Sequence, residues 1–237
     1  MATIVLAHGA WSAAWAWKKM RPLFRAAGHE FFSPTYTGLG ERAHLAHQEI
    51  DLSTHVQDVT AVLEFEDLRD VTLLGHSYGG MVATGVADKA GARIARVVYI
   101  DAFAPRAGES LFDLVGPKAE ANMRAGATKD GNGWKLPINP MPSDTAPEDL
   151  AWASPRRRPQ PIKTFEQKLR LESKAAPPPR HYIYAKRNGP GDVFRQFGER
   201  AKTEPGWKYY EMDCSHNPHI TCPDALMALL SDIMAGK

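Results

Sequence analysis

Four short runs of consecutive apolar character recur along this chain: Thr3-Ile-Val-Leu-Ala7, Val71-Thr-Leu-Leu-Gly75, Ile94-Ala-Arg-Val-Val-Tyr-Ile100 and His181-Tyr-Ile-Tyr-Ala185. Such runs, apolar on both sides rather than alternating, read as strands covered by helices on both faces. The segments between them carry a helical period. Trp15, Met20, Leu23 and Phe24 recur until Gly28, with Ser12 placed to cap the segment. A short strand near 30–34 and the Gly-punctuated loop Thr37–Arg42 lead into a helix over 53–67, with Val56, Val59, Val62 and Leu63 inward. Helices over 79–90, about 192–203 and 223–234, and a strand over 207–212, complete the order. Alternation of this kind predicts an α/β chain: a mostly parallel sheet of about six strands flanked by helices.

The regularity stops near residue 104, where Pro, Gly, Arg and Lys become frequent, and resumes after Pro177-Pro178-Pro179. The expected organisation is a core of residues 1–103 and 180–237 with a lid inserted over 104–179. The 29 basic and 27 acidic residues leave a net charge of +2, too little to draw nucleic acid or an anionic membrane to the whole surface. A small molecule is the expected partner, and a homodimer is left open. The apolar start has no basic residue before Lys18 and contains His8 and Gly9, which fits neither a signal peptide nor a membrane span and suggests a cytoplasmic protein. Cys214 and Cys222, close together and outside any metal-ligand spacing, read as buried thiols, so no metal or other cofactor is expected.

Chemistry concentrates at Gly75-His76-Ser77-Tyr78-Gly79, a G-x-S-x-G motif that follows an apolar strand and opens a helix. There a serine sits on a strained turn that projects its hydroxyl above the sheet, and the flanking glycines let the chain make that turn without clashes. Ser77 is the candidate nucleophile. A tetrahedral oxyanion needs two preorganised amide donors: one is the N–H of Tyr78, and the other must come from His8-Gly9-Ala10-Trp11, where Ala10 is the candidate. His8, leading into a tight loop, reads as a residue that holds backbone in place.

The strand followed by His-Gly-Ala-Trp, the elbow ending at Gly80 and the C-terminal Ser-His-Asn-Pro-His together resemble the α/β-hydrolase superfamily, most closely its branch of plant methyl esterases and hydroxynitrile lyases. The resemblance covers 1–103 and 180–237 and implies the α/β-hydrolase fold, with the order nucleophile, acid, base along the chain. His216, first after the last strand and spaced from Pro223 as in the superfamily, is then the base, and His219 a packing histidine. His29, His44, His47, His55 and His181 read as surface or element-end residues, with His44 and His47 following a loop near the site.

The acid departs from the common pattern. Most relatives carry it just after the strand that here ends at Ala185, and the aligned position is Asn188, which cannot be charged. Two carboxylates remain: Asp101, at the end of the preceding strand, where some members take their acid, and Asp192, whose alternative use is a helix N-cap. Neighbouring parallel strands end at one edge, which favours Asp101.

Three functions fit: a carboxylic ester hydrolase forming an acyl-enzyme, a hydroxynitrile lyase on the same scaffold, and a silent small-molecule receptor. In the lyases the resemblance leads one to expect a threonine in the first loop and a lysine after the base, where this chain has Gly9 and Asn217. Hydrolysis of a small ester is therefore preferred. Trp11, Trp134 and Trp152 are the candidate substrate-contacting residues, and Arg156-Arg157-Arg158 could meet an anionic substrate or form a solvated basic run.

Overall fold

The computed structural model describes residues 1–236. Six parallel strands form the central sheet: β1 (Thr3–Ala7), β2 (Glu30–Phe32), β3 (Val71–His76), β4 (Ile94–Ile100), β7 (Arg180–Ala185) and β8 (Trp207–Met212), in the spatial order β2-β1-β3-β4-β7-β8. A two-residue antiparallel pair, β5 (Lys135–Leu136) with β6 (Gln160–Pro161), stands apart from it. The apolar runs are continuous because each face of the sheet buries its own core. Val5, Leu73, Val97 and Tyr182 point into one, and Ile4, Leu6, Leu74, Val98 and Ile183 into the other. On the first face lie α2 (Leu52–Phe65), α3 (Gly79–Ala90) and α8 (Arg195–Thr203), and on the second α1 (Met20–Ala26) and α10 (Pro223–Met234), with α9 (Pro218–Thr221) leading into α10. Burying side chains such as these stabilises by about 1.5–3 kcal/mol each relative to exposure.

Register decides where the strands stop. Ala7 pairs with Gly75, His76 with Ile100, Ile100 with Ile183 and Ala185 with Met212. The loops after β1, β3, β4, β7 and β8 therefore open on one edge, within reach of one another.

Several local expectations are corrected. Ser12 caps nothing: the segment begins as a 3-10 turn, Ala14–Trp17, without a side-chain cap, and the Ala14 amide donates to Thr35 Oγ1 at 3.1 Å. The second strand stops at Phe32. The next helix begins at Leu52 under a capping box in which Asp51 and Thr54 satisfy each other's amides. The helix expected from 192 begins at Arg195, so Asp192 is not its N-cap.

Between β4 and β7 the chain builds α4 (Leu111–Val115), α5 (Pro117–Asp130), α6 (Pro147–Ala153) and α7 (Lys163–Glu166) besides β5 and β6. Apart from α5 these elements are too short to show a period in the sequence. Specific polar contacts fasten the segment to the sheet's edge: Lys19 Nζ reaches Asp149 at 2.7 Å. The Trp11 amide donates to Gln160 Oε1 at 3.1 Å, its indole to Leu136 O at 3.3 Å, and Trp11 O accepts from the Arg158 amide at 3.2 Å.

Candidate active site

The turn after β3 is built by its glycines. A Cβ on Gly79 would lie 1.9 Å from Ala7 O, one on Gly80 1.9 Å from Phe103 O, and one on Gly75 2.9 Å from the Ala83 methyl. The start of α3 is thus pressed against the ends of β1 and β4, which leaves Ser77 in the left-handed region at φ 56. Trp11 (φ 56) and Asp101 (φ 43) share that conformation, which costs a residue with a side chain on the order of 1–3 kcal/mol and persists only where the surroundings impose it. Three of the six strained non-glycine positions among the described residues are residues that the sequence marks for this site.

The structure brings Ser77, His216 and Asp101 together. His216 Nε2 lies 3.0 Å from Ser77 Oγ, and its Nδ1 lies 2.7 Å from Asp101 Oδ2. An Nδ1–H donated to the carboxylate leaves Nε2 as the acceptor facing the serine hydroxyl, the tautomer a base requires. The Asp101 carboxylate is fully buried. Its Oδ1 accepts from the Ala185 amide at 3.1 Å, and Asn188 Nδ2 reaches both oxygens at 3.0–3.1 Å. Asn188, at the position where a carboxylate was sought, holds the carboxylate supplied by the neighbouring strand.

Asp192 stands behind Asn188, whose Nδ2 lies 3.4 Å from its Oδ1. Its Oδ2 accepts from the Tyr184 hydroxyl at 2.6 Å and its Oδ1 from the Phe194 amide at 2.9 Å. The Phe194 ring it positions stacks on His216 at a centroid distance of 4.7 Å. Asp192 thus supports the imidazole through a turn and an aromatic contact.

Gly9 is packed against the elbow, where a Cβ would come 3.0 Å from His76 Nδ1 and 3.3 Å from Ser77 Cβ. The loop that runs from Gly9 into Ala10 therefore lies beside Ser77. His8 fixes this loop: its Nδ1–H donates to Gly9 O at 2.9 Å, its Nε2 accepts from the Tyr36 amide at 3.2 Å, and the Tyr36 hydroxyl donates to His8 O. Burial pushes its pKa down to about 3, so it is a neutral strut.

His76 lies inside the motif, where the sequence alone suggests no part for it. Its Nε2–H donates to His216 O at 2.8 Å, tying the nucleophile's turn to the loop of the base. Burial lowers its pKa well below the ordinary value, and His216 and His219 add to that effect. His219 stacks on Trp17 at 4.6 Å. His55 and His181, read as surface or element-end residues, are buried near the starts of α2 and β7; His55 bonds the Tyr78 hydroxyl at 2.9 Å and Thr37 O at 3.1 Å.

A narrow cavity of about 60 Å³ opens above Ser77, with Ala10, Trp11, Trp15, Met141, Arg157 and Ile220 in its wall. Trp134 and Trp152 are not in that wall. Trp134 packs on the large core beside the Lys135 ammonium, and Trp152 stands one layer out, edge-on to Trp15 at 5.2 Å. His44 and His47 do not reach it either. Of the arginine run only Arg157 enters the wall, and both its Nη1 and Nη2 are held by Asn139. Burial pushes its pKa down to about 10.

Comparison with known proteins agrees with this architecture. A carbendazim hydrolyzing esterase of Nocardioides sp. (strain SG-4G) is 37% identical over 98% of this chain and 99% of its own length. The pheophorbidase of Raphanus sativus is 27% identical over 95% of this chain and 91% of its own. A crystal structure of an Arabidopsis methylesterase superposes with a TM-score of 0.79 at 25% identity over the whole of both chains. The profile of the alpha/beta hydrolase family matches residues 4–229, and the chain belongs to that family, in its plant-esterase-like branch.

Proposed function

We propose that this chain is a carboxylic ester hydrolase that works through an acyl-enzyme on Ser77, with His216 as base and Asp101 as the acid that orients it. The observation that carries this reading is the continuous relay from Ser77 Oγ through His216 to the buried Asp101 carboxylate. Ser77 Oγ attacks the ester carbonyl carbon while its proton passes to His216 Nε2. The oxyanion forms between the amides of Ala10 and Tyr78. Collapse breaks the ester C–O bond, and His216 returns the proton to the departing alcohol. Water repeats the two steps, yielding the carboxylic acid and regenerating Ser77. The narrow cavity supports a small ester, and residues 104–179 act as the lid over it. Full-length relatives named as an esterase and a pheophorbidase support ester cleavage. Against the lyase reading, Gly9 and Asn217 supply no cation beside the base. Free thiols at Cys214 and Cys222 fit a reducing compartment, and we place the enzyme in the cytoplasm.

The test is turnover of nitrophenyl esters of graded length, methyl esters of aromatic acids, carbendazim and mandelonitrile. Ser77→Ala is expected to lower ester turnover by roughly 10⁴ to 10⁶. Near wild-type hydrolysis in Ser77→Ala would refute the mechanism, and cyanide release faster than hydrolysis of every ester would place the chain among the lyases.

A further inference from the structure

Helices do not cover the first face of the sheet evenly. β3 returns to β4 through α3, and β7 to β8 through α8, each laid against the strands. The chain entering β7 has no such helix, for residues 167–179 run irregularly into Pro177-Pro178-Pro179. Between α3 and α8 this leaves a cavity of about 680 Å³ that shares no lining residue with the one above Ser77. Tyr99 and Trp207, with ring centroids 5.1 Å apart, lie along it with Ala87, Leu171 and Pro177. A cavity of that size and apolar lining suits a small organic molecule.

Its charge is unbalanced. Lys89, Arg106, Arg180 and Arg200 face only Asp88 and Glu204. Asp88 is occupied by the amides of Glu172 and Ser173 at 2.9 and 3.0 Å. Glu204 is shared by Arg106 and Arg200 at 2.5 and 3.4 Å. Arg180 lies over the Trp207 ring at 4.4 Å and donates to Pro205 O at 3.2 Å, and it meets no carboxylate among the described residues. Burial lowers the pKa of Arg200 although Glu204 and Glu109 act to raise it.

We propose that this cavity is a second ligand site, separate from the one at Ser77, for a small apolar carboxylate. The aromatic or alkyl body would rest on Tyr99 and Trp207, and the carboxylate would take the guanidinium groups of Arg106, Arg180 and Arg200, whose planar forks match it. The proposal is independent of the chemistry at Ser77.

Calorimetric titration of the full chain with 1-naphthoate, against uncharged 1-naphthalenemethanol, tests it. The expected result is one naphthoate site at least about tenfold tighter than that for the alcohol. Arg106→Gln, an exposed position that does not endanger the fold, and Arg180→Gln should each weaken naphthoate by about tenfold, and Ala87→Phe should fill the cavity and weaken both probes. All three should keep nitrophenyl ester turnover near wild type, and His216→Ala should keep naphthoate binding. Absence of binding at millimolar naphthoate, equal affinity for the alcohol, binding unchanged in both arginine variants, or binding lost in His216→Ala would each overturn the proposal.

Discussion

At the scale of single residues the site depends on how one carboxylate is held. Asp101 accepts from His216 Nδ1 and also from Ala185 and Asn188. Asp101→Asn should leave the fold intact and cut turnover by up to about 10⁴, because an amide favours the wrong imidazole tautomer. Asn188→Asp is the sharper probe. It restores a carboxylate where most relatives have one, but places it about 3 Å from Asp101, where two negative charges cannot both be ionised cheaply. Turnover should fall and its pH profile shift upward; unchanged kinetics in Asn188→Asp would show that the two side chains are not in contact. Asp192→Asn should cost less than Asp101→Asn, since Asp192 acts through Phe194. The placement of Asp101 beside His216 was legible in the sequence because strand ends in a parallel sheet coincide. The role of Asn188 was not, because an alignment position reports a missing charge and not the hydrogen bonds an amide can donate. Trp134 and Trp152 pack against the core and Trp15 instead, and nothing in their spacing says which aromatic of residues 104–179 faces the cavity.

At the scale of elements, the strands and the elbow could be read directly, since burial on two faces leaves a continuous apolar run and close approach leaves glycine. Residues 104–179 could not, because elements of two to seven residues carry no period, and only the fourteen-residue α5 is long enough to show one. Helix starts were misread where the cap belonged to a neighbour, as with Asp51 for α2. The glycines give a direct check. Gly79→Ala and Gly80→Ala each place a methyl 1.9 Å from a backbone carbonyl oxygen, an overlap that rigid strand ends cannot relieve. Both should fail to accumulate as folded protein, or should fold without activity. Gly91 is the internal control. Its φ is negative at −53 and its nearest neighbour, Pro178 Cδ, is 3.9 Å away. Gly91→Ala should therefore be neutral or stabilising, by up to about 1 kcal/mol, through the unfolded chain's lost freedom. Melting temperatures of the soluble variants decide the matter, and a folded, active Gly79→Ala would contradict the close approach of Gly79 to Ala7 O.

At the scale of the whole molecule, the histidines tie stability to pH. His8, His55 and His219 are buried, and in each case desolvation is the largest cause of a pKa pushed down to about 3. Unfolded, each would titrate near 6.5. Because the folded-state pKa lies below the unfolded one, the unfolded chain binds more protons between about pH 3 and 6.5, and stability falls as pH drops through that window. Above about pH 7 all three are neutral in both states and add no slope. Each group contributes up to about 1.4 kcal/mol per pH unit, so together they reach roughly 4 kcal/mol per unit, against a total of roughly 5–15 kcal/mol for a typical domain. Acid unfolding is expected between about pH 6 and 4, above the range where most carboxylates protonate. His219 allows the cause to be isolated. It is stacked on Trp17, and its Nδ1 is buried without a partner, so His219→Phe removes a proton site and a desolvated polar atom while keeping the ring contact. Urea unfolding of His219→Phe at pH 8 should match or exceed wild type. Between pH 6 and 5 its stability should fall less steeply, by about 1.4 kcal/mol per unit. Parallel pH dependences in the two proteins would mean that His219 carries its proton equally in the folded and unfolded states.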